Sequence, residues 1–162
     1  MRGSMVALMV LPMITPCLVA QTAVACTAPA SATPQVYARL TLPAAGDTAV
    51  RLTVCFATGT RTGTPPVAGY HGELRLAAGT RVIGVERPGG GMRVENATTP
   101  GRVSFAGVVP AGLTAGPLLT LTLLRRSDDG SANQLVMLDL TDARGQDVTA
   151  RVSVDTIARR IH

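Results

Sequence analysis

The sequence has no tryptophan and only two tyrosines and two phenylalanines in 162 residues. Valine, leucine and alanine must therefore fill whatever core the chain builds. So few aromatics also exclude the stacked platforms that single-stranded nucleic acid or a flat cellulose surface requires. Lysine is missing altogether, so all 15 basic residues are arginine and the net charge is +5. Apart from Arg125-Arg126 and Arg159-Arg160 these arginines stand singly along the chain. Nucleic-acid binding needs clustered positive charge. Evenly scattered arginine decorates a solvated surface, and no nucleic-acid partner is expected.

Catalytic and metal-binding chemistry are equally thin. Three cysteines without a C-x-x-C spacing and two distant histidines give no metal-ligand set, and no motif points to a cofactor. No G-x-S-x-G elbow or comparable nucleophile motif is present. Asp128, Asp129, Asp142 and Asp147 lie in or beside turn-forming stretches, where such side chains cap local backbone amides. Glu73 and Glu95 sit among arginines, as cross-strand ion pairs would. No pair of carboxylates is set up for acid–base work, so the reading is a binding protein and not an enzyme.

Residues 1–25 read as a secretory signal: one positive charge at Arg2, an apolar stretch from Met5 to Ala20, then the small residues Ala23-Val24-Ala25. Pro12 and Pro16 interrupt the stretch, which argues against a membrane-spanning helix. Cys26 follows directly. Ordinary signal peptidase would cut before it, and so would a lipoprotein peptidase after a diacylglyceryl group had been added to it. The segment resembles a bacterial lipobox, although Ala23 stands where that pattern prefers leucine. Two fates of Cys26 stay open: lipidation, or a disulfide with Cys55 in an oxidising compartment. The expected location is outside the cytoplasm (secreted, periplasmic or lipid-anchored at the envelope), with membrane contact only through a lipid on Cys26. Residues 26–35, rich in Pro, Ser, Thr and Ala, read as an extended tether.

From Val36 to residue 156 the pattern is short alternating runs separated by Gly, Pro, Asp and Asn. Val36 to Leu42, Val50 to Phe56, Tyr70 to Leu76, Val82 to Glu86, Met92 to Asn96, Arg102 to Val109, Leu118 to Leu124, Leu135 to Leu140 and Val148 to Val154 are nine strands by this criterion. Nine short strands and no sustained helical period predict an all-β domain, a two-sheet β-sandwich with jelly-roll topology. An open barrel also fits the alternation. The end of the chain, 157–162, reads as a frayed tail.

Three stretches, taken in order, resemble the cohesin module of cellulosomal scaffold proteins. Gly69-Tyr70-His71-Gly72-Glu73-Leu74 with the following Val82-Ile83-Gly84-Val85 is similar to that family's Gly-aromatic-x-x-x-Leu strand and its valine-rich successor. Gly101-Arg102-Val103-Ser104-Phe105-Ala106 and then Leu118 to Leu123 resemble two further strands. Leu140-Thr141-Asp142-Ala143-Arg144-Gly145 resembles the closing Leu-Thr-Asp-Ala-x-Gly hairpin. The resemblance spans nearly all of the chain after the signal. It implies a nine-stranded jelly roll that recognises a protein, in that family a calcium-loaded dockerin, through one sheet face. The face would combine the third, fifth, sixth and eighth strands and, by alternation, present His71, Glu73, Arg75, Arg93, Glu95, Arg102 and Ser104. The implied role is an exported cohesin-like module for extracellular protein recognition or scaffolding, its partner an extracellular or cell-surface protein. The alternative is a carbohydrate-binding module of the same architecture serving polysaccharide attachment or breakdown. Unlike scaffold proteins, this sequence holds a single such module and no duplicated Asp-rich calcium loop.

Overall fold

The computed structural model describes residues 26, 31–41, 49–61, 66–87, 91–125 and 133–161. The expected signal segment lies outside them. Nine strands follow one another: β1 (Gln35–Thr41), β2 (Ala49–Ala57), β3 (Val67–Arg75), β4 (Thr80–Glu86), β5 (Met92–Asn96), β6 (Arg102–Val108), β7 (Gly116–Arg125), β8 (Gln134–Asp142) and β9 (Ser153–Ile161). Their lateral order is β4-β7-β2-β1-β9 in one sheet and β8-β3-β6-β5 in the other, with a single pair, Gln134 to Ile157, joining β8 to β9. All pairings are antiparallel except β1 with β9. This is the expected two-sheet jelly-roll sandwich.

Period-two alternation builds the core directly. Val36, Ala38 and Leu40 of β1 stand opposite Phe56, Val54 and Leu52 of β2, of which Val54 and Leu52 in turn oppose Leu119 and Leu121 of β7. From the other sheet come Tyr70, Leu74, Val103, Phe105, Leu135 and Leu140, all buried in the same cluster. Each fully buried leucine contributes roughly 1.5–3 kcal/mol of transfer free energy, so a core almost without aromatics is still adequate for one domain. Two glycines accommodate the two large rings. Tyr70 pairs across the ladder with Gly107, and Phe105 with Gly72, each ring lying over a position that lacks a Cβ.

The structure departs from the sequence expectations at both ends. Residues 157–161 are not a frayed tail. The backbone of β9 continues to Ile161 and pairs with β1 through Arg159 to Arg39, Arg160 to Leu40 and Ile161 to Thr41. Conversely, residues 148–152 do not open the ninth strand, because Thr149–Arg151 form a 3-10 turn. Asp147 explains the difference. Its carboxylate accepts the Thr149 N–H at 2.8 Å, while the Thr149 hydroxyl accepts the Leu140 N–H at 2.9 Å, so local bonds replace the ladder.

Within the expected tether 26–35, the described residues 26 and 31–35 are held to the sheet. Cys26 forms a disulfide with Cys55. Ser31 and Ala32 carbonyls accept the Thr60 and Arg61 N–H groups at 2.9 and 3.1 Å, and the Pro34 carbonyl accepts that of Ser153 at 2.9 Å. Pro34 is buried and Gln35 already belongs to β1. The stretch Ser31 to Pro34 lacks apolar periodicity, but its carbonyls still close hydrogen bonds against neighbouring segments.

The Asp147 contacts carry a pH prediction. The Thr149 hydroxyl and N–H hold the Asp147 carboxyl below its ordinary range, and the Arg87 guanidinium does the same for Glu95. A depressed folded pKa means that the unfolded chain takes up protons first on acidification. The stabilisation is complete above the ordinary carboxylate range and is lost as pH falls through it toward the folded values. Urea midpoints should therefore drop between pH 6 and pH 3, and Asp147→Asn with Glu95→Gln should flatten that drop.

Candidate functional site

The four strands expected to share a face are neighbours, in the order β8-β3-β6-β5. Register lays their outward residues out in rows. Asp139, His71, Ala106 and Val94 form one row across the four strands. Thr141, Gly69, Val108 and Met92 form the row on one side of it, and Val136, Glu73, Ser104 and Asn96 the row on the other. Beyond the last lie Gln134, Arg75 and Arg102. A bulge between His71 and Gly72 leaves Leu138 as the extra residue on β8, so that Leu138 and Asp139 together oppose His71.

Five of the seven expected residues are brought together: His71, Glu73, Arg75, Arg102 and Ser104. Glu73 is the anchor among them. Its side chain is 11% exposed; its Oε1 accepts Arg75 Nε at 2.9 Å, and its Oε2 forms an ion pair with Arg102 Nε at 3.2 Å. The two arginine side chains are about half exposed, at 56% and 53%. One nearly buried carboxylate thus orients two half-exposed arginine side chains, leaving one net positive charge. Glu73→Ala would free both side chains and bring two like charges together unscreened. A stability loss of about 1 kcal/mol by urea denaturation is expected, at the upper end for surface pairs because the carboxylate is shielded.

Arg93 and Glu95 do not belong to this face. They pair with Gly107 and Phe105, whose side-chain positions face the interior, and so they point between the sheets. The phase of β5 is inverted relative to its hydrophobic pattern, and the reason is its place at the sheet edge. There the mouth of the sandwich is open, and inward-pointing charges can reach partners from the opposite sheet while guarding the edge against further pairing. Arg93 Nη1 donates to the Leu118 carbonyl at 3.2 Å. Glu95 accepts Arg87 Nε at 2.6 Å and a second bond from Nη2, tying β5 to the chain just after β4.

The same inversion puts Met92 and Val94 where charge was expected, next to Val108 of β6. Met92 is 76% exposed, Val94 64% and Val108 51%, adjacent across β5 and β6. Leu138 adds a fourth, at 53%, on the far side of His71. Met92 and Val94 were missed because alternation marks an apolar residue as inward. Only knowledge that β5 is an edge strand could have reversed the assignment. The face therefore has two halves: an apolar end at Met92, Val94 and Val108, and a charged end at Arg75, Glu73 and Arg102.

None of the four aromatic side chains contributes to it. Phe56, Tyr70 and Phe105 are buried in the core, where burial pushes the Tyr70 phenol up. Tyr37 lies on the outer side of the other sheet, with Arg39 6.0 Å from its ring centre. Among the described residues no group of three or more His, Cys, Asp or Glu side chains could hold a metal ion, and no helix is long and apolar enough to cross a membrane.

No family model and no curated protein matches the sequence. Solved structures do match in shape. A non-cellulosomal cohesin from the archaeon Archaeoglobus fulgidus superposes with a TM-score of 0.58 at 13% identity, covering 81% of this chain and 93% of that one. The third ScaC cohesin of Acetivibrio cellulolyticus, solved with the ScaB dockerin, gives 0.56 at 13% identity over 78% of this chain and 96% of its own. A type I cohesin–dockerin complex from Clostridium thermocellum gives 0.53 at 11% identity, covering 80% and 99%. Identity this low carries the architecture alone. The chain has a cohesin-like fold.

Proposed function

We propose that the protein is an exported binding module, not an enzyme, and that it docks a protein partner on the outer face of β8-β3-β6-β5. The single observation that carries this reading is the exposed apolar cluster Met92, Val94 and Val108 on the same sheet face as the Glu73-centred arginine pair, with Leu138 exposed across His71. Contiguous exposed apolar side chains rimmed by oriented charge mark interaction surfaces. Two of the similar structures were solved as complexes of a cohesin with a dockerin, which supports a protein as the class of partner. A polysaccharide is less well served, because the face offers no aromatic ring for a sugar to stack on.

A partner fitted to this face would bring an apolar ridge to the β5 edge and an acidic group to Arg75 and Arg102. The test uses the oxidised, exported chain as bait in the secretome of its own source, with a glycan array run in parallel. Arg75→Glu with Arg102→Glu should weaken a captured protein partner by roughly tenfold or more. Met92→Asp should do the same from the other end of the face. Arg51→Gln on the opposite sheet should leave binding unchanged. Retention of the partner by both face variants, binding to glycans alone, or turnover of a substrate would each overturn the reading.

A further inference from the structure

Cys26 stands at a point in the sequence where two export routes cut the chain alike and differ only in what becomes of one sulfur atom. We propose that, because this sulfur is held in the Cys26–Cys55 disulfide, Cys26 is closed to lipidation and gives the protein no membrane anchor.

Three features converge on this outcome. The acceptor is fixed in place: Cys55 is fully buried, on β2, whose register is set on one side by β1 and on the other by β7. Cys55 alternates with the core residues Val54 and Phe56, so its sulfur projects from the outer side of the five-stranded sheet, toward the N-terminal segment. The approach is fixed as well. Ser31, Ala32 and Pro34 are hydrogen-bonded to Thr60, Arg61 and Ser153, and only four residues separate Ser31 from Cys26. A short connection leaving an anchored position confines the Cys26 thiol near its partner, which raises its effective concentration. The geometry is that of a bond already closed, with the two Cα atoms 5.6 Å apart, inside the range that a cystine spans.

The two fates are chemically exclusive. Disulfide formation removes one hydrogen from each thiol, and the two electrons and two protons pass to a disulfide-bearing oxidant that becomes a dithiol. Lipidation would instead join the Cys26 sulfur to the glyceryl carbon of a phospholipid-derived donor, forming a thioether, while the thiol proton and the donor's headgroup leave. A sulfur bonded to Cys55 has no thiol left for that reaction. The Cys26–Cys55 bond also places this residue on the sheet that backs onto the candidate docking face, and the inference stands whether or not that face binds a protein.

The full chain, exported by a bacterium possessing both peptidases, decides the matter by intact mass and peptide mapping. Without reduction, neither cysteine of the processed protein should take up iodoacetamide, no glyceryl-linked acyl chains should be found on Cys26, and detergent phase separation should leave the protein in the aqueous phase. After reduction, both residues should be alkylated. An acylated Cys26 with an alkylatable Cys55 would overturn the proposal, and so would two thiols that react before reduction.

Discussion

Loss of the Cys26–Cys55 bond is expected to lower stability by about 3.5 kcal/mol and the melting temperature by about 10 °C. The bond closes a loop across a sequence separation of 29. In the chain-entropy account, the unfolded state of the reduced protein regains the freedom of that loop. The hydrogen bonds of Ser31, Ala32 and Pro34 do not replace the constraint, because they form only once the sheet exists. Small domains have about 5–15 kcal/mol of total stability, so the change would be a large fraction of it. Urea titration of the oxidised protein against the reduced one checks the magnitude. A Cys26→Ala, Cys55→Ala variant should match the reduced protein within about 1 kcal/mol, since Cys55 is buried and alanine leaves no orphaned polar group there. Equal midpoints for oxidised and reduced protein would show that the segment is held by other contacts.

Gly107→Val should cost about 3 kcal/mol, for the opposite physical reason: too many atoms instead of too few constraints. A Cβ built at Gly107 falls 2.4 Å from the Tyr70 hydroxyl oxygen and 2.5 Å from Cζ. The ring has little room to retreat. It is 5% exposed, and the Phe105 ring centre lies 6.2 Å away, itself opposite Gly72. Gly72→Val should behave alike, since its Cβ would come within 2.6 Å of Phe105 Cζ and 2.8 Å of Met137 Sδ. The control is Ala106→Val, one residue away on β6 but on the outer face, where a change under about 0.5 kcal/mol is expected. Similar losses at 106 and 107 would mean that β6 responds to β-branching and not to crowding under the rings.

The strands were legible because burial on one face enforces alternation, and turn residues punctuate it. Val36-Ala38-Leu40 and Val50-Leu52-Val54-Phe56 declare both their strand character and their inward side. The candidate face was legible for β3 and β6, whose polar residues do point outward. It was misread for β5, where hydrophobicity and orientation part company: Arg93 and Glu95 point inward because partners await them at the open edge. No local pattern carries that information, since it depends on which strand ends the sheet. The same holds for β9. Its segment 157–161 has no apolar alternation of its own to announce a strand, and it is ordered by pairing with β1, more than a hundred residues earlier. Cys26 was undecidable from spacing, because nothing in the sequence says that Cys55 lies within its reach.

The parallel pairing of β1 with β9 has a mechanical consequence. Gln35 lies beside Ser153 and Thr41 beside Ile161, so the two strands run side by side in one direction, and the start of β1 and the end of β9 are at opposite poles of the sheet. Tension applied between Cys26 and Ile161 has a covalent path that bypasses the start of β1. The disulfide would hand it to Cys55 on β2, level with Tyr37 near the start of β1, while the other pull acts on β9 level with Thr41. β1 is then the rung between two strands drawn apart along their own axes. Its ladders on both sides would be loaded in shear, many hydrogen bonds at once, instead of being unzipped one by one.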